Sequence, residues 1–290
     1  MSRIAYVNGR YVPHRAAMVH VEDRGFQFAD GVYEVCEVWN GKIVDMTRHL
    51  DRMRRSLSEL SMAWPVTRRA METIMREVAA QNRVRYGMVY VQVTRGKAKR
   101  DFAFPAPSTP PTLVVTARSN SREDARKVGE NGIRIVTTPD IRWERVDIKS
   151  VAMLPQVLAK QTARRVGAGE AWMVDKEGFV TEGASSNAWI VTQDGTLVTR
   201  PAERGILRGI TRQAIMDYAA ANGIKVEERR FSVEEAKDAR EAFITAATAI
   251  VTPVVQIDDK VLGNGMPGSV ASELRARFHD GVETLDINTY

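Results

Sequence analysis

The stretch Gly31-Val32-Tyr33-Glu34-Val35-Cys36-Glu37-Val38-Trp39, followed by Asn40-Gly41 and then Lys42 to Met46, decides the fold class of this 290-residue chain. Its side chains alternate with a period of two, the pattern of a strand with one face on a core. Asn and Gly tolerate the positive φ of a two-residue turn, so the run reads as a β-hairpin. A second hairpin is legible upstream, where Arg3 to Val12 brackets Asn8-Gly9. The N-terminal region is therefore expected to start in a sheet.

Working outward, Arg48 to Leu60 and Thr67 to Gln81 read as helices. In the second, Met71, Ile74, Met75 and Val78 recur at three and four residues and make one apolar face. Gly87 to Thr94 and Thr112 to Ala117 are strand-like, and the prolines between Phe104 and Pro111 predict a stiff irregular loop. Residues 121–132 are polar and are read as an interdomain linker, giving an N-terminal domain over 1–120 and a C-terminal domain over 133–290. In the second domain, strands are expected at Ile133 to Thr138, Ala171 to Val174, Val180 to Glu182, Asn187 to Val191 and Lys225 to Glu228. A helix opens after Pro155 over Gln156 to Val166, and another runs from Thr211 to Ala221 before Gly223. Ser232 and Glu235 have capping-box spacing. The fold class expected is mixed α/β.

Composition narrows the function classes. With 44% hydrophobic and 27% charged residues and the single Cys36, the chain is not a collagen, a disulfide scaffold or a disordered tail. No signal peptide is read at its start, and a cytoplasmic location is expected. The most apolar stretch, Ala242 to Val255, is interrupted by Thr245, Thr248, Thr252 and Pro253 and falls short of the ~20 apolar residues that a spanning helix needs. No membrane insertion is expected. The net charge of +6 is spread over pairs such as Arg54-Arg55, Arg68-Arg69, Arg164-Arg165 and Arg229-Arg230. Solvated helix faces account for these pairs better than a nucleic-acid surface does.

Among residues that carry chemistry, Gly263, Gly265 and Gly268 have dinucleotide-loop spacing, but too little chain follows for the ~30-residue βαβ unit, so a turn before the last helix is expected. His14, His20, His49 and His279 have no metal-ligand spacing, and no metal is expected. Gly183-Ala184-Ser185-Ser186-Asn187 is not a nucleophile elbow. The run Arg142-Trp143-Glu144-Arg145-Val146-Asp147-Ile148-Lys149-Ser150 sets one lysine among aromatic and acidic neighbours. An amine kept neutral by its surroundings can attack a carbonyl and hold it as a Schiff base.

Seven ordered blocks then carry a resemblance: Asp23 to Glu34, His49 to Arg52, Thr94 to Gly96, Asp147 to Ser150, Thr181 to Asn187, Leu207 to Arg212, and Thr252 to Val254. Together they resemble the fold-type-IV family of pyridoxal-phosphate enzymes, most closely its D-amino-acid aminotransferases. The resemblance implies a smaller N-terminal α/β sandwich and a C-terminal pseudo-barrel α/β domain. It implies that Lys149 holds the aldehyde of pyridoxal 5'-phosphate and moves the substrate proton, and that Glu182 pairs with the pyridine nitrogen. Arg52, Gly209, Ile210, Thr211 and Thr248 match phosphate contacts, while Ser185 and Leu207 match residues against the ring. Tyr33 and Arg100 match the residues that take the substrate carboxylate. The family's histidine two positions after the arginine is replaced here by Phe102, which leads to an expected side activity on (R)-primary amines. A homodimer is also implied, with the Arg100 loop reaching the neighbouring subunit's site. Branched-chain L-aminotransferase and aminodeoxychorismate lyase share the cofactor machinery, and a non-catalytic anion or nucleic-acid binder is the alternative from another class.

Overall fold

The hairpin expected around Asn8-Gly9 is present in the computed structural model, which describes residues 3–287. Strands β1 (Ile4–Val7) and β2 (Arg10–Pro13) pair antiparallel across Asn8 and Gly9, both at positive φ. The second hairpin joins β3 (Gly31–Trp39) to β4 (Lys42–Val44), again with positive φ at Asn40 and Gly41. With β5 (Gly87–Thr94) and β6 (Thr112–Ser119) they form an antiparallel sheet in the order β4-β3-β5-β6-β1-β2, extended beyond β4 by the late strand Thr284–Asp286. Helix α1 (Arg24–Phe28) precedes β3, while α2 (Met46–Glu59) and α3 (Arg68–Gln81) bury Leu50, Met53, Met71, Met75 and Val78 against Val32, Cys36, Val38, Val89 and Val91 of the sheet. Each such side chain contributes about 1.5–3 kcal/mol. The apolar face read over Met71, Ile74, Met75 and Val78 therefore lies in the core.

This sheet and its helices are one of two compact units. It comprises the chain through Ser121, the residues from Glu283 on, and the segment Ile148–Ala152. That segment adds to β3 where β4 does not reach: Tyr33 N donates to Lys149 O at 3.0 Å and Val151 N to Gly31 O at 3.0 Å. Lys149 thus sits on backbone paired with a strand.

The second unit holds Arg122–Asp147 and Met153–Val282. It opens on α4 (Arg122–Asn131), within the stretch read from sequence as a linker. That helix buries no side chain, so it lacks the apolar periodicity by which helices are read; the i,i+4 pairs Glu123–Lys127 and Arg126–Glu130 support it instead. After it come β7 (Ile133–Pro139), α5 (Leu154–Arg165), β8 (Glu170–Val174), β9 (Val180–Gly183), β10 (Asn187–Val191), β11 (Leu197–Thr199), α6 (Ile210–Ala221), β12 (Val226–Glu228), α7 (Val233–Lys237), β13 (Glu241–Ala246), β14 (Ile250–Ile257), β15 (Lys260–Val261) and α8 (Ser269–Arg277). The sheet order is β12-β11-β10-β13-β14-β7-β8-β9, with β15 on β14. Strand β9 ends this order, yet only Ala184, Ser185 and Ser186 separate it from β10, far along the same sheet, so the sheet must curl back on itself as an incomplete barrel. Gly183 N donates to Ser186 O at 2.7 Å across that turn.

The glycine triplet is the turn expected before the last helix. Gly263 and Gly265 have positive φ, and the first N–H groups of α8 at Val270 and Ala271 donate to the buried Glu241 carboxylate at 3.1 and 3.0 Å. Among the described residues no helix is long and apolar enough to cross a membrane.

Candidate active site

In the first unit the site is built on the two faces of β3. Period two puts Tyr33 on one face and Glu34 on the other, with Val32, Cys36 and Val38. The Lys149 backbone is tied to β3 and its N–H donates to Ser56 Oγ at 3.3 Å. Its Nζ donates to the Tyr33 hydroxyl at 3.3 Å and lies 4.4 Å from the centre of that ring. Tyr33 stacks on Tyr90 with centroids 5.6 Å apart, and burial, with Tyr33 beside it, raises the Tyr90 pKa. A lysine and a phenol read independently from the sequence are thus in contact.

On the opposite face Arg52 clamps Glu34 with two hydrogen bonds, Nε to Oε1 at 2.7 Å and Nη2 to Oε2 at 2.8 Å, while His49 Nδ1 meets Oε2 at 2.7 Å. Burial works against the Glu34 charge, but Arg52 and His49 outweigh it and bring the pKa down to about 2. The same burial lowers the His49 pKa despite its bond to Glu34. Glu34 and His49 stand inside quoted blocks, yet nothing in their spacing marked them as the partners that hold Arg52.

Arg100 and Phe102 are gathered elsewhere, on an exposed loop around Phe28. The Arg100 guanidinium lies 4.7 Å from the Phe28 ring, and the Phe102 ring 5.6 Å from it. Phe102 is 86% exposed. Buried Arg24 secures this loop: Nη1 donates to Asp101 O at 2.6 Å and Ala103 O at 3.2 Å, while Nε donates to Asp30 at 2.8 Å. Arg95 shares Asp30 and reaches Leu60 O at 2.7 Å.

In the second unit, Glu182 on β9 is the centre. Its Oε1 accepts from Arg142 Nη1, and its Oε2 from Asn187 Nδ2 at 2.9 Å; Leu207 N donates to both oxygens at 3.3 and 3.2 Å. Asn187 also donates to Leu207 O at 2.9 Å, which ties Glu182, Asn187 and Leu207 together. Arg142 is held by Asp140 through Nε to Oδ1 at 2.9 Å and Nη2 to Oδ2 at 2.7 Å. Thr181 Oγ1 donates to the same Asp140 Oδ2 at 2.7 Å. Asp140, Arg142 and Asn187 went unassigned in the sequence; Arg142 lies in the run that singled out Lys149.

Gly209 caps α6 without a side chain, so the first N–H groups of that helix receive no bond from their own cap. A Cβ on Gly209 would fall 2.0 Å from Asn187 Oδ1, which explains the glycine. Thr211 is buried. Thr248 is exposed on the tight turn between β13 and β14, next to Ile250 at φ +46, a strained value for a β-branched residue. Arg275 braces this turn by donating to Ala249 O at 2.9 Å. The Ser185 hydroxyl donates to the buried Glu170 carboxylate at 2.7 Å, which Lys160 also meets at 3.1 Å.

This chemistry is a lysine amine on a phenol, a buried carboxylate with fixed donors, and an uncapped helix start. The model of the family described as "Amino-transferase class IV" matches residues 31–257. A D-alanine aminotransferase of Staphylococcus haemolyticus is 39% identical over 281 residues, covering 96% of this chain and 98% of that protein. One from Bacillus licheniformis is 36% identical over 275 residues, covering 95% of each. Among solved structures, the T.th. branched-chain amino acid aminotransferase with pyridoxamine 5'-phosphate superposes with a TM-score of 0.87 at 27% identity, covering 97% of this chain and 94% of that one. Matched along most of its length by sequence and by fold, the chain belongs to the class IV aminotransferases.

Proposed function

We propose that this protein is a pyridoxal-phosphate-dependent D-amino-acid:2-oxo-acid aminotransferase, acting on donors such as D-alanine with pyruvate or 2-oxoglutarate as acceptor. The observation that carries the reading is the Lys149 amine held against the Tyr33 hydroxyl on a strand of the family's matched region. The curated relatives support the D-amino-acid donor, since they bear the name D-alanine aminotransferase at 36–39% identity over nearly the whole chain.

The residues present fit the cofactor. Glu182 is a buried carboxylate met by donors from Arg142, Asn187 and Leu207, suited to a protonated ring nitrogen. The Gly209 position admits no Cβ and leaves the α6 N–H groups of Ile210 and Thr211 for a phosphate. When bound, pyridoxal phosphate supplies an aldehyde that takes the amino group and a ring that accepts the electron pair left at the substrate Cα.

The chain supplies the remainder. Lys149 would hold the cofactor through its aldehyde and would carry the proton at the substrate Cα. The Tyr33 hydroxyl accepts from Nζ and orients that amine. Glu182 would pair with the ring nitrogen and favour its protonated form. Arg52, fixed by Glu34, adds a permanent positive charge for the phosphate, with Thr248 a further donor. Ser185 and Leu207 would lie against the bound ring.

Arg100 takes the substrate carboxylate from the loop that Arg24 secures, and the active form is a homodimer. Exposed Leu154, Val157 and Leu158 recur at helical spacing on α5 and support association with a second copy. Phe102 stands where a polar donor is the alternative, so (R)-primary amines are accepted as a side activity. A cytoplasmic location agrees with the one thiol, Cys36, being buried and free.

Purified protein should be yellow and should bleach with D-alanine, and borohydride reduction followed by peptide mapping should label Lys149. Bleaching by L-leucine and not by D-alanine would replace the donor class with branched-chain L-amino acids. An unlabelled Lys149 would end the proposal.

A further inference from the structure

One guanidinium, that of Arg142, spans two carboxylates. Its side chain is 3% exposed, and those of Asp140 and Glu182 are 12% and 7% exposed. Asp140 takes it bidentate and also accepts the Arg142 backbone N–H at 3.1 Å, so the guanidinium plane is set before it meets Glu182. Thr181, the residue before Glu182, anchors Asp140 from β9, and its Oγ1 lies 3.0 Å from Met173 O. Burial opposes the charge of Arg142, but the two carboxylates outweigh it and raise its pKa; on Asp140, burial is likewise overcome by Arg142.

A buried carboxylate without a cation takes up a proton, whereas one in contact with a fixed guanidinium stays ionised, with its pKa held down by roughly one to three units. Glu182 serves a ring nitrogen only while it is the anion: if the carboxyl keeps the proton, the ring does not have it.

We propose that Arg142, clamped by Asp140, is a positioning residue that keeps the Glu182 carboxylate ionised and fixes its plane, so that the shared proton resides on the cofactor's ring nitrogen. This rests on the reading of Glu182 as the partner of that nitrogen. In this role Arg142 acts through Glu182. Lysine does not replace it fully, because an ammonium offers a point charge and cannot hold Asp140 and Glu182 in one plane.

The test compares Arg142→Gln, Arg142→Lys and Asp140→Asn with Glu182→Gln, all as holoenzymes. Two readouts are independent of turnover: the pH titration of the bound cofactor's absorbance, and the cofactor dissociation constant by equilibrium dialysis. Arg142→Gln should displace the titration in the same direction as Glu182→Gln, by about one unit or more, and weaken cofactor binding roughly tenfold. Arg142→Lys should recover part of the displacement. Asp140→Asn keeps the cation and loosens its clamp, so it should shift the titration by a smaller amount, and it serves if the Arg142→Gln protein does not fold. In steady state kcat should fall with little change in KM for the amino donor. If Glu182→Gln shifts the titration while Arg142→Gln and Asp140→Asn leave it and the dissociation constant at wild-type values, the inference is overturned and the reading of Glu182 stands. If Glu182→Gln itself changes neither, the reading fails and the inference falls with it.

Discussion

Lys149 owes its place to backbone pairing and its orientation to a phenol. The Lys149 carbonyl and the N–H of Tyr33 are bonded, and the Nζ of the one donates to the hydroxyl of the other, so a single strand residue controls both ends of the lysine. Lys149→Ala should abolish transamination while changing the free energy of urea unfolding by no more than about 0.5 kcal/mol, the range for a residue outside the core. Tyr33→Phe removes the acceptor and keeps the ring that stacks on Tyr90; kcat should fall about fivefold, the worth of one hydrogen bond, in a steady-state assay with D-alanine. From the residues alone, Lys149 stood out by its aromatic and acidic neighbours, and the resemblance singled out Tyr33. The clamp on Arg52 was not legible, because Glu34 and His49 are joined to it by the packing of α2 on β3 and by no spacing along the chain.

That packing is an element-scale device. A strand of period two has placed a carboxylate on its core face, and α2 covers it with an arginine and a histidine one turn apart. Glu34→Gln would leave the Arg52 charge buried without its carboxylate, and a loss of roughly 3–5 kcal/mol is expected in urea unfolding. The pH dependence has a definite sign. The Glu34 pKa is depressed from 4.5 to about 2 in the fold, so its contribution is complete above 4.5 and is lost as pH falls through about 2. The His49 pKa is depressed below 6.5 by burial, so the unfolded chain takes up that proton first and stability again declines on acidification below 6.5. Unfolding midpoints measured from pH 7 to pH 3 should fall in the wild type, and the decline below pH 4.5 should be shallower in Glu34→Gln, with the depressed Asp140 and Asp175 carboxylates carrying what is left. At the start of α6 the constraint is steric: Gly209→Ala would drive a methyl onto Asn187 and loosen its hold on Glu182. Cofactor affinity by dialysis should drop roughly tenfold, about 1.4 kcal/mol.

Across the whole chain, what was legible followed periodicity and turn chemistry. Both Asn-Gly hairpins, the amphipathic α3 and the Pro155 start of α5 occur where the pattern placed them. Strands β13 and β14 were not read, because covered sheets replace alternation with continuous apolar runs such as Ala242 to Val255. Helix α4 was missed for the opposite reason, having no apolar face. The exposed Leu154, Val157 and Leu158 belong to this scale too. If the proposed homodimer forms through this face, Val157→Asp with Leu158→Asp should convert it to monomers in sedimentation velocity while leaving far-UV circular dichroism unchanged.

The excursion of Ile148–Ala152 into the first unit, flanked on both sides by chain of the second, limits how such an enzyme can be taken apart. A gene split after Ser121 would encode one fragment without Lys149 or the edge strand Thr284–Asp286, and another carrying Lys149 without the strand that receives it. Neither half inherits a partial activity, so recombination between relatives has to exchange the lysine-bearing segment together with β3 or leave both in place.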